Sequence, residues 1–227
     1  MRIPGLVLIW RFEDAAGTPA LDGSGNGFHG TLVGASGLPA SSTLVPALSY
    51  ANTRSLAFVQ ANRHAVTLPT IPAALRPANN LTVSAFFRST KVDVNGATPI
   101  GAELVSGGNN YILRLRAGGD VEFSKHPATG SSVQCRAPAP GSLDGNWHHV
   151  AAVASATTGV EVYFDGARIC TVSNTENISY DAGIGFWVGR HGGTETQWDF
   201  DGNIDEVRVY NRALSAAEVT VLAQGGK

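Results

Sequence analysis

The chain reads as a long succession of short strands, and only one segment carries a helix signature. Runs with two-residue alternation or β-branched enrichment fall at 6–12, 29–33, 55–59, 64–68, 81–88, 100–105, 110–117, 121–125, 132–136, 147–155, 160–164, 167–173, 184–190 and 203–210. Gly, Asn and Asp punctuate them, at Gly107-Gly108, Gly118-Gly119 and the tight-hairpin signal Asp165-Gly166. The 27 glycines and 11 prolines of this 227-residue chain supply the turns such a pattern needs. The expectation is an all-β fold, antiparallel, in a sandwich or barrel. Residues 34–47 read as irregular.

The last of these segments continues into the one helix. From Asn203 to Tyr210, alternation sets Ile204, Glu206, Arg208 and Tyr210 on one face and Asn203, Asp205, Val207 and Val209 on the other. Ser215 followed by Glu218 is a capping box, and Leu214 with Val219 can form a hydrophobic staple. Gly225-Gly226 closes the helix. No break in composition and no internal repeat divides the chain, so residues 1–227 are expected to form one domain.

Four stretches occur in an order that resembles laminin-G-like jellyroll modules of the concanavalin A-like lectin/glucanase superfamily. They are Trp10-Arg11-Phe12-Glu13-Asp14 with the glycine-rich loop from Asp22 to Gly27, the strand Leu81–Phe87, the run Gly145–Ala151 with Val162–Gly166, and the closing segment Phe200–Val221. The resemblance implies a two-sheet antiparallel jellyroll β-sandwich with one short C-terminal helix. Such folds host lectins, adhesion modules, glycan hydrolases, lyases and spacers, so function has to come from the site.

Charged residues make up 15% of the chain, against roughly 25% in an average domain, and the formal net charge is −2. No basic run interleaves with aromatics, so no nucleic-acid partner is expected. No apolar run approaches the ~18 residues of a membrane helix, so no membrane insertion is expected either. Leu6–Trp10 is too short for a signal-peptide core and reads as the first strand, which leaves open whether a leader once preceded it. Low charge with abundant Thr, Ser, Asn and Gly favours an extracellular, cell-surface or virion-surface setting. Cys135 and Cys170 both fall in expected strands; a disulfide and two buried thiols both remain open, with buried thiols favoured.

The oxygen-rich sequence Asp22-Gly-Ser-Gly-Asn-Gly can turn carbonyls inward and supply about three of the six to eight oxygens that Ca2+ takes. The resemblance implies a calcium ion here, held by the Asp22 side chain, the Gly25 and Asn26 carbonyls and Asp205, with Glu13 as a further ligand. It would staple the N-terminal loop to the closing strand. Asp199, Asp201, Asn203 and Asp205 also alternate, but Tyr210 stands where an EF-hand needs Glu. The histidines show no ligand spacing, and His148 and His149 are expected one core-facing and one solvent-facing.

No Glu-x-Asp-x-x-Glu strand, nucleophile elbow or HExxH occurs. Glu161 and Asp165 flank Tyr163 at a hairpin, and Arg114, Arg116, His126 and Tyr111 show no lyase arrangement. A non-catalytic recognition or adhesion module is therefore expected, with a polysaccharide or other glycan as leading partner. The alternatives are a protein neighbour in a larger assembly such as a virus-particle surface, and a glycan-active hydrolase or lyase. Aromatic faces and a few polar groups recognise sugars; the candidates are Trp187, Arg190, His191, Trp198 and Tyr111, with Tyr180. Trp10, Trp147 and Trp187 are otherwise expected in the core.

Overall fold

The computed structural model describes residues 3–91, 101–180, 185–193 and 195–227. Ile100 and Ile184, expected to open two strands, lie outside the described residues. Strands run in the order β1 (Leu6–Trp10), β2 (Thr31–Val33), β3 (Ala40–Ser42), β4 (Ser55–Phe58), β5 (Ala65–Leu68), β6 (Leu81–Arg88), β7 (Gly101–Gly107) and β8 (Tyr111–Arg116). They continue with β9 (Asp120–Lys125), β10 (Val133–Pro138), β11 (His148–Ser155), β12 (Gly159–Phe164), β13 (Ala167–Val172), β14 (Phe186–Val188) and β15 (Gly202–Tyr210), followed by α1 (Ala216–Ala223).

Two antiparallel sheets form a jellyroll sandwich. One is eight-stranded, ordered β13-β12-β11-β6-β15-β4-β3, with β1 also paired to β15; the other is seven-stranded, ordered β10-β9-β8-β7-β14-β5-β2. Between them lies the main core, with Trp10, Phe87, Leu113, Phe123, Phe186 and Phe200 buried from both sides. At such a position, truncating Phe87 to Ala costs about 3–5 kcal/mol. The short strand β3 lies where irregular chain was expected; Ala40-Ser41-Ser42 has no apolar alternation and is held by pairing with β4.

The outer face of the eight-stranded sheet is covered too. Tyr163, Tyr210, Leu214, Val219 and Leu222 form a second buried cluster under α1. The staple residues Leu214 and Val219 are both in it, and the capping box forms, with Ser215 N donating to Glu218 Oε2 at 2.8 Å and Glu218 N to Ser215 Oγ at 3.3 Å. Arg212 grips the same carboxylate, and its hydrogen bonds hold Glu218 down at about 2. Neither member of the His pair faces solvent as expected. His149 is buried beside Phe86, and burial pushes its imidazole down to about 3. His148 sits between Asp144 (3.2 Å) and Asp165 (2.8 Å); burial lowers its basicity, but the two carboxylates outweigh this and raise it.

The alternation expected along 203–210 breaks at Glu206, which adopts φ +50°. Up to Ile204 the outer edge of β15 pairs with β4; from Val207 on it pairs with β1. The register on β6 slips between Asp205 and Arg208. The extra residue of this bulge lets Ile204 and Val207 both face the core, so the two faces are not those of simple alternation.

Cys135 and Cys170 form a disulfide, with Cα atoms 5.8 Å apart. They lie on β10 and β13, one edge strand from each sheet. The buried-thiol expectation fails because strand order, which sequence spacing does not encode, brings these two edges together. Among the described residues no helix is long and apolar enough to cross a membrane.

Candidate functional site

The outer face of the seven-stranded sheet carries two rows of polar side chains. Alternation produces it: Phe186, Val188, Leu113, Phe123 and Cys135 face the core, so their neighbours must face outward. Cross-strand pairing aligns Thr67, Trp187, Ser106, Ile112, Ser124 and Gln134 in one row. The next row is Glu103, Arg114, Glu122 and Arg136.

In this second row Arg114 is the hub. Its Nε donates to Glu122 Oε1 at 2.8 Å, its Nη2 contacts the same oxygen, and its Nη1 lies 3.7 Å from Glu103 Oε1. Arg116 Nε lies 3.5 Å from Glu122 Oε2. His191 Nδ1 is 3.1 Å from both Glu103 oxygens, and that hydrogen bond raises the imidazole above its ordinary value. Trp198 lies over the row, its ring centroid 4.4 Å from the Arg114 guanidinium and 5.5 Å from that of Arg116. Its backbone carbonyl takes the Glu103 N–H at 2.8 Å, which fixes the loop on β7. Glu103, Ile112, Arg114, Ser124, His191 and Trp198 line a cavity of about 300 Å³.

Of the expected ligand residues, Trp198 and His191 line this cavity. Trp187 and Arg190 flank it as a stacked pair, 4.8 Å apart. Trp187 is not in the core, because Phe186 and Val188 on either side of it face inward. Trp147 is also only half-buried, since it precedes β11. Tyr111 does not belong to the site. It is fully buried, its ring lies over Gly107, and its hydroxyl donates to the Leu75 carbonyl at 3.1 Å. Tyr180 packs edge-on against Tyr111 and bonds the Pro77 carbonyl. Sequence reasoning missed Glu103 and Glu122; the alternating charges of Arg114, Arg116 and Glu122 carried the signal for this face.

The two buried carboxylates do not act as a free pair. Glu122 is taken up by Arg114 and Arg116, and Glu103 by His191 and Arg114, so neither is presented to a substrate. A glycosidase needs one carboxyl group to donate a proton and a second to attack or to activate water.

The expected calcium residues separate into two places. Asp22 takes four donors: Ile9 N (3.1 Å) and Ser24 N (2.9 Å) on Oδ1, and Ser24 Oγ (2.7 Å) and Phe28 N (3.1 Å) on Oδ2. Asn26 Nδ2 donates to the Val7 carbonyl at 2.9 Å. These bonds tie the loop of Gly25 and Asn26 to β1, and they leave Asp22 little capacity for an ion. Asp205 instead is fully buried, with Asn52 Nδ2 at 2.9 Å from Oδ2 and its neighbour's N–H on Oδ1. Burial, with nearby Glu206 and Glu13 adding to it, pushes Asp205 up to about 8. Glu13 accepts from Thr53 and Arg54; burial raises its value, but these bonds outweigh it and lower it. Asn52 Oδ1 is buried with no hydrogen-bond partner. Among the described residues, no three His, Cys, Asp or Glu side chains are grouped to hold a metal. Asp199 pairs with Arg63 and Asp201 with Lys91, so their alternation does not converge on one ion.

The profile of the concanavalin A-like lectin/glucanases superfamily, laminin G type, matches residues 60–220. No curated protein matches the sequence. Many solved structures resemble the fold, among them the following three. Domain 4 of AbnA, an extracellular GH43 arabinanase of Geobacillus stearothermophilus in complex with arabinotriose, has a TM-score of 0.69 and 21% identity, over 96% of this chain and 98% of that one. The binding domain of Paraclostridial Mosquitocidal Protein 1 has a TM-score of 0.71 and 16% identity, over 96% of this chain and 52% of that one. The binding domain of Botulinum Neurotoxin DC in complex with SialylT has a TM-score of 0.63 and 10% identity, over 97% of this chain and 51% of that one. The chain thus spans about half the length of the two toxin binding domains. At these identities the likeness is one of fold.

Proposed function

Because the chain belongs to the concanavalin A-like lectin/glucanases superfamily, we propose that it is a non-catalytic recognition module that binds carbohydrate on the outer face of its seven-stranded sheet. One observation carries this reading: an indole, Trp198, walls a cavity of about 300 Å³ whose floor alternates donors and acceptors. Ser132 and Gln134 can both donate and accept there, and Ser124 Oγ has no partner of its own. A sugar offers the matching surface, an apolar ring face edged by hydroxyls that both donate and accept. Arabino-oligosaccharides and sialylated glycans are the first ligands to try, since related folds were solved with arabinotriose and with SialylT. The test is calorimetric titration with both classes. Wild type should bind one class saturably, and Trp198→Ala should weaken it about tenfold or more. Equal binding by both proteins, or none at about 10 mM ligand, would remove the site.

The same reading includes one calcium ion with a structural role. Its holders would be Asp205, Glu13 and the unpartnered Asn52 Oδ1, with Asp22 organising the adjoining loop through hydrogen bonds. The ion would supply positive charge beside the buried Asp205, on which Glu206 and Glu13 act. Calcium at a hundred times its dissociation constant stabilises the folded state by about 2.7 kcal/mol. Thermal unfolding after chelation, with and without added calcium, should show the rise in wild type and not in Asn52→Leu. No rise in wild type would discard the ion and leave the glycan site untouched.

A further inference from the structure

On the other sheet, where β1 joins β15, lies a cavity of about 280 Å³ that the glycan reading does not use. Its lining combines the aliphatic Ile3, Leu6 and Ile9 with Arg11, Tyr50, Arg208 and Lys227. We propose that this cavity is a second ligand site, for a small organic carboxylate borne on an apolar body.

Positive side chains gather at the cavity. Glu206 bridges two guanidiniums, with Arg11 Nε 2.9 Å from Oε1 and Arg208 Nη2 2.8 Å from Oε2. The Lys227 ammonium adds a third positive group, 4.2 Å from the Tyr50 ring centroid. Glu13 also acts on Arg11, but at a distance, and it is engaged by Thr53 and Arg54. Arg208 is the most enclosed of these cations. Its side chain is 4% exposed, and its Nη groups reach the Gly226 carbonyl, Tyr50 Oη and Glu206, yet its Nε is buried without a partner. A ligand would meet the guanidinium edges that line the cavity, and a carboxylate is their strongest complement.

The apolar half decides the rest of the ligand. Ile3, Leu6 and Ile9 offer no hydrogen bonds, so a polyhydroxylated sugar would lose hydration there without replacement. An aromatic or branched aliphatic group gains by the burial instead. At the roughly 30 Å³ of a liquid water, the volume suits on the order of ten non-hydrogen atoms. An arylalkanoic acid meets both halves at once: its carboxylate lies among Arg11, Arg208 and Lys227, and its ring lies on Ile3, Leu6 and Ile9.

The probe is 3-phenylpropionate, followed by ligand-observed NMR and by amide shifts of the labelled protein. Three comparisons accompany it: the neutral alcohol 3-phenylpropan-1-ol, inorganic sulfate, and the variants Arg11→Gln and Arg168→Gln. Arg168 lies on β13 and removes the same charge elsewhere. The acid should bind saturably and shift amides of β1 and β15. The alcohol and sulfate should each bind at least about tenfold more weakly. Arg11→Gln should weaken the acid about fivefold or more, and Arg168→Gln should leave it unchanged. Equal binding of acid and alcohol would overturn the anion half of the proposal. Equal binding of acid and sulfate would overturn the apolar half. An unchanged affinity in Arg11→Gln, shifts confined to the other sheet, or no binding at about 10 mM would overturn the site.

Discussion

The disulfide between Cys135 and Cys170 joins the open edges of both sheets across 35 residues of sequence. Removing it releases that loop in the unfolded chain. With the loop-entropy relation, closure of about 35 residues withholds roughly 13 cal/mol/K, or about 4 kcal/mol at 25 °C. For a domain of this size each kcal/mol moves the midpoint by about 2–4 °C, so reduction should lower it by roughly 8–15 °C. The assay is thermal unfolding followed by circular dichroism, with and without a phosphine reductant, on wild type and on a double Cys135→Ala, Cys170→Ala variant. Wild type should show the drop on reduction, and the double variant should sit low in both conditions. A thiol count on denatured, unreduced protein adds an independent check and should give none. A drop below about 2 °C, or an equal reductant effect in the double variant, would refute the claim that this bond holds the two edges together.

Asp205 should make the calcium-free protein less stable as pH rises. Its folded value of about 8 lies above the 3.8 of a free Asp, so between these limits the unfolded chain has lost a proton that the folded chain retains. Stability then falls by about 1.4 kcal/mol per pH unit, reaching on the order of 4 kcal/mol at pH 7. Asp205→Asn should abolish that slope in chelator, and an unchanged slope in urea titrations from pH 4 to 8 would contradict it. Lys125 is fully buried and donates to Asn79 Oδ1 and to the Asn174 and Glu176 carbonyls, so Lys125→Met strands three acceptors. It should cost about 3 kcal/mol in urea unfolding, and a cost under about 1 kcal/mol would mean the amine does not organise this corner. Ser215→Ala removes the helix cap and should cost about 1 kcal/mol, seen as a fall of a few degrees in midpoint. No fall would mean that packing of Val219 and Leu222 alone holds α1 in place.

The parts legible in the sequence were those set by neighbours along the chain. The hairpin at Asp165-Gly166 forms with both residues at positive φ, +47° and +81°, as a two-residue turn requires. The capping box and staple of α1 likewise need only residues a turn apart. What escaped depends on neighbours across the fold. The bulge at Glu206 arises because β15 exchanges β4 for β1 as its partner, a fact of topology. Tyr111 stood among the aromatic candidates, but its ring is stacked over Gly107, where even a Cβ would clash. Asp22 looked like an ion ligand from its glycine-rich loop, whereas the backbone N–H groups of Ile9, Ser24 and Phe28 had already claimed it. Glu103 and Glu122 stand on strands flanking β8, and only strand order shows that Arg114 lies between them.

The pairing of β1 with β15 also sets how the protein meets mechanical load. Leu6 lies opposite Tyr210 and Trp10 opposite Val207, so the outward ends of the two strands sit side by side. Tension entering before Leu6 and leaving after Tyr210 would part this pair like a zipper, one rung after another, instead of shearing all rungs together. The first rung is reinforced at the opening. Asn211 N bonds the Gly5 carbonyl at 3.0 Å and Arg212 Nε bonds the Pro4 carbonyl at 2.8 Å, while the same guanidinium holds Glu218 on α1. Arg212 is therefore the clasp of the zipper, and together with the Asn211–Gly5 bond it resists the start of peeling.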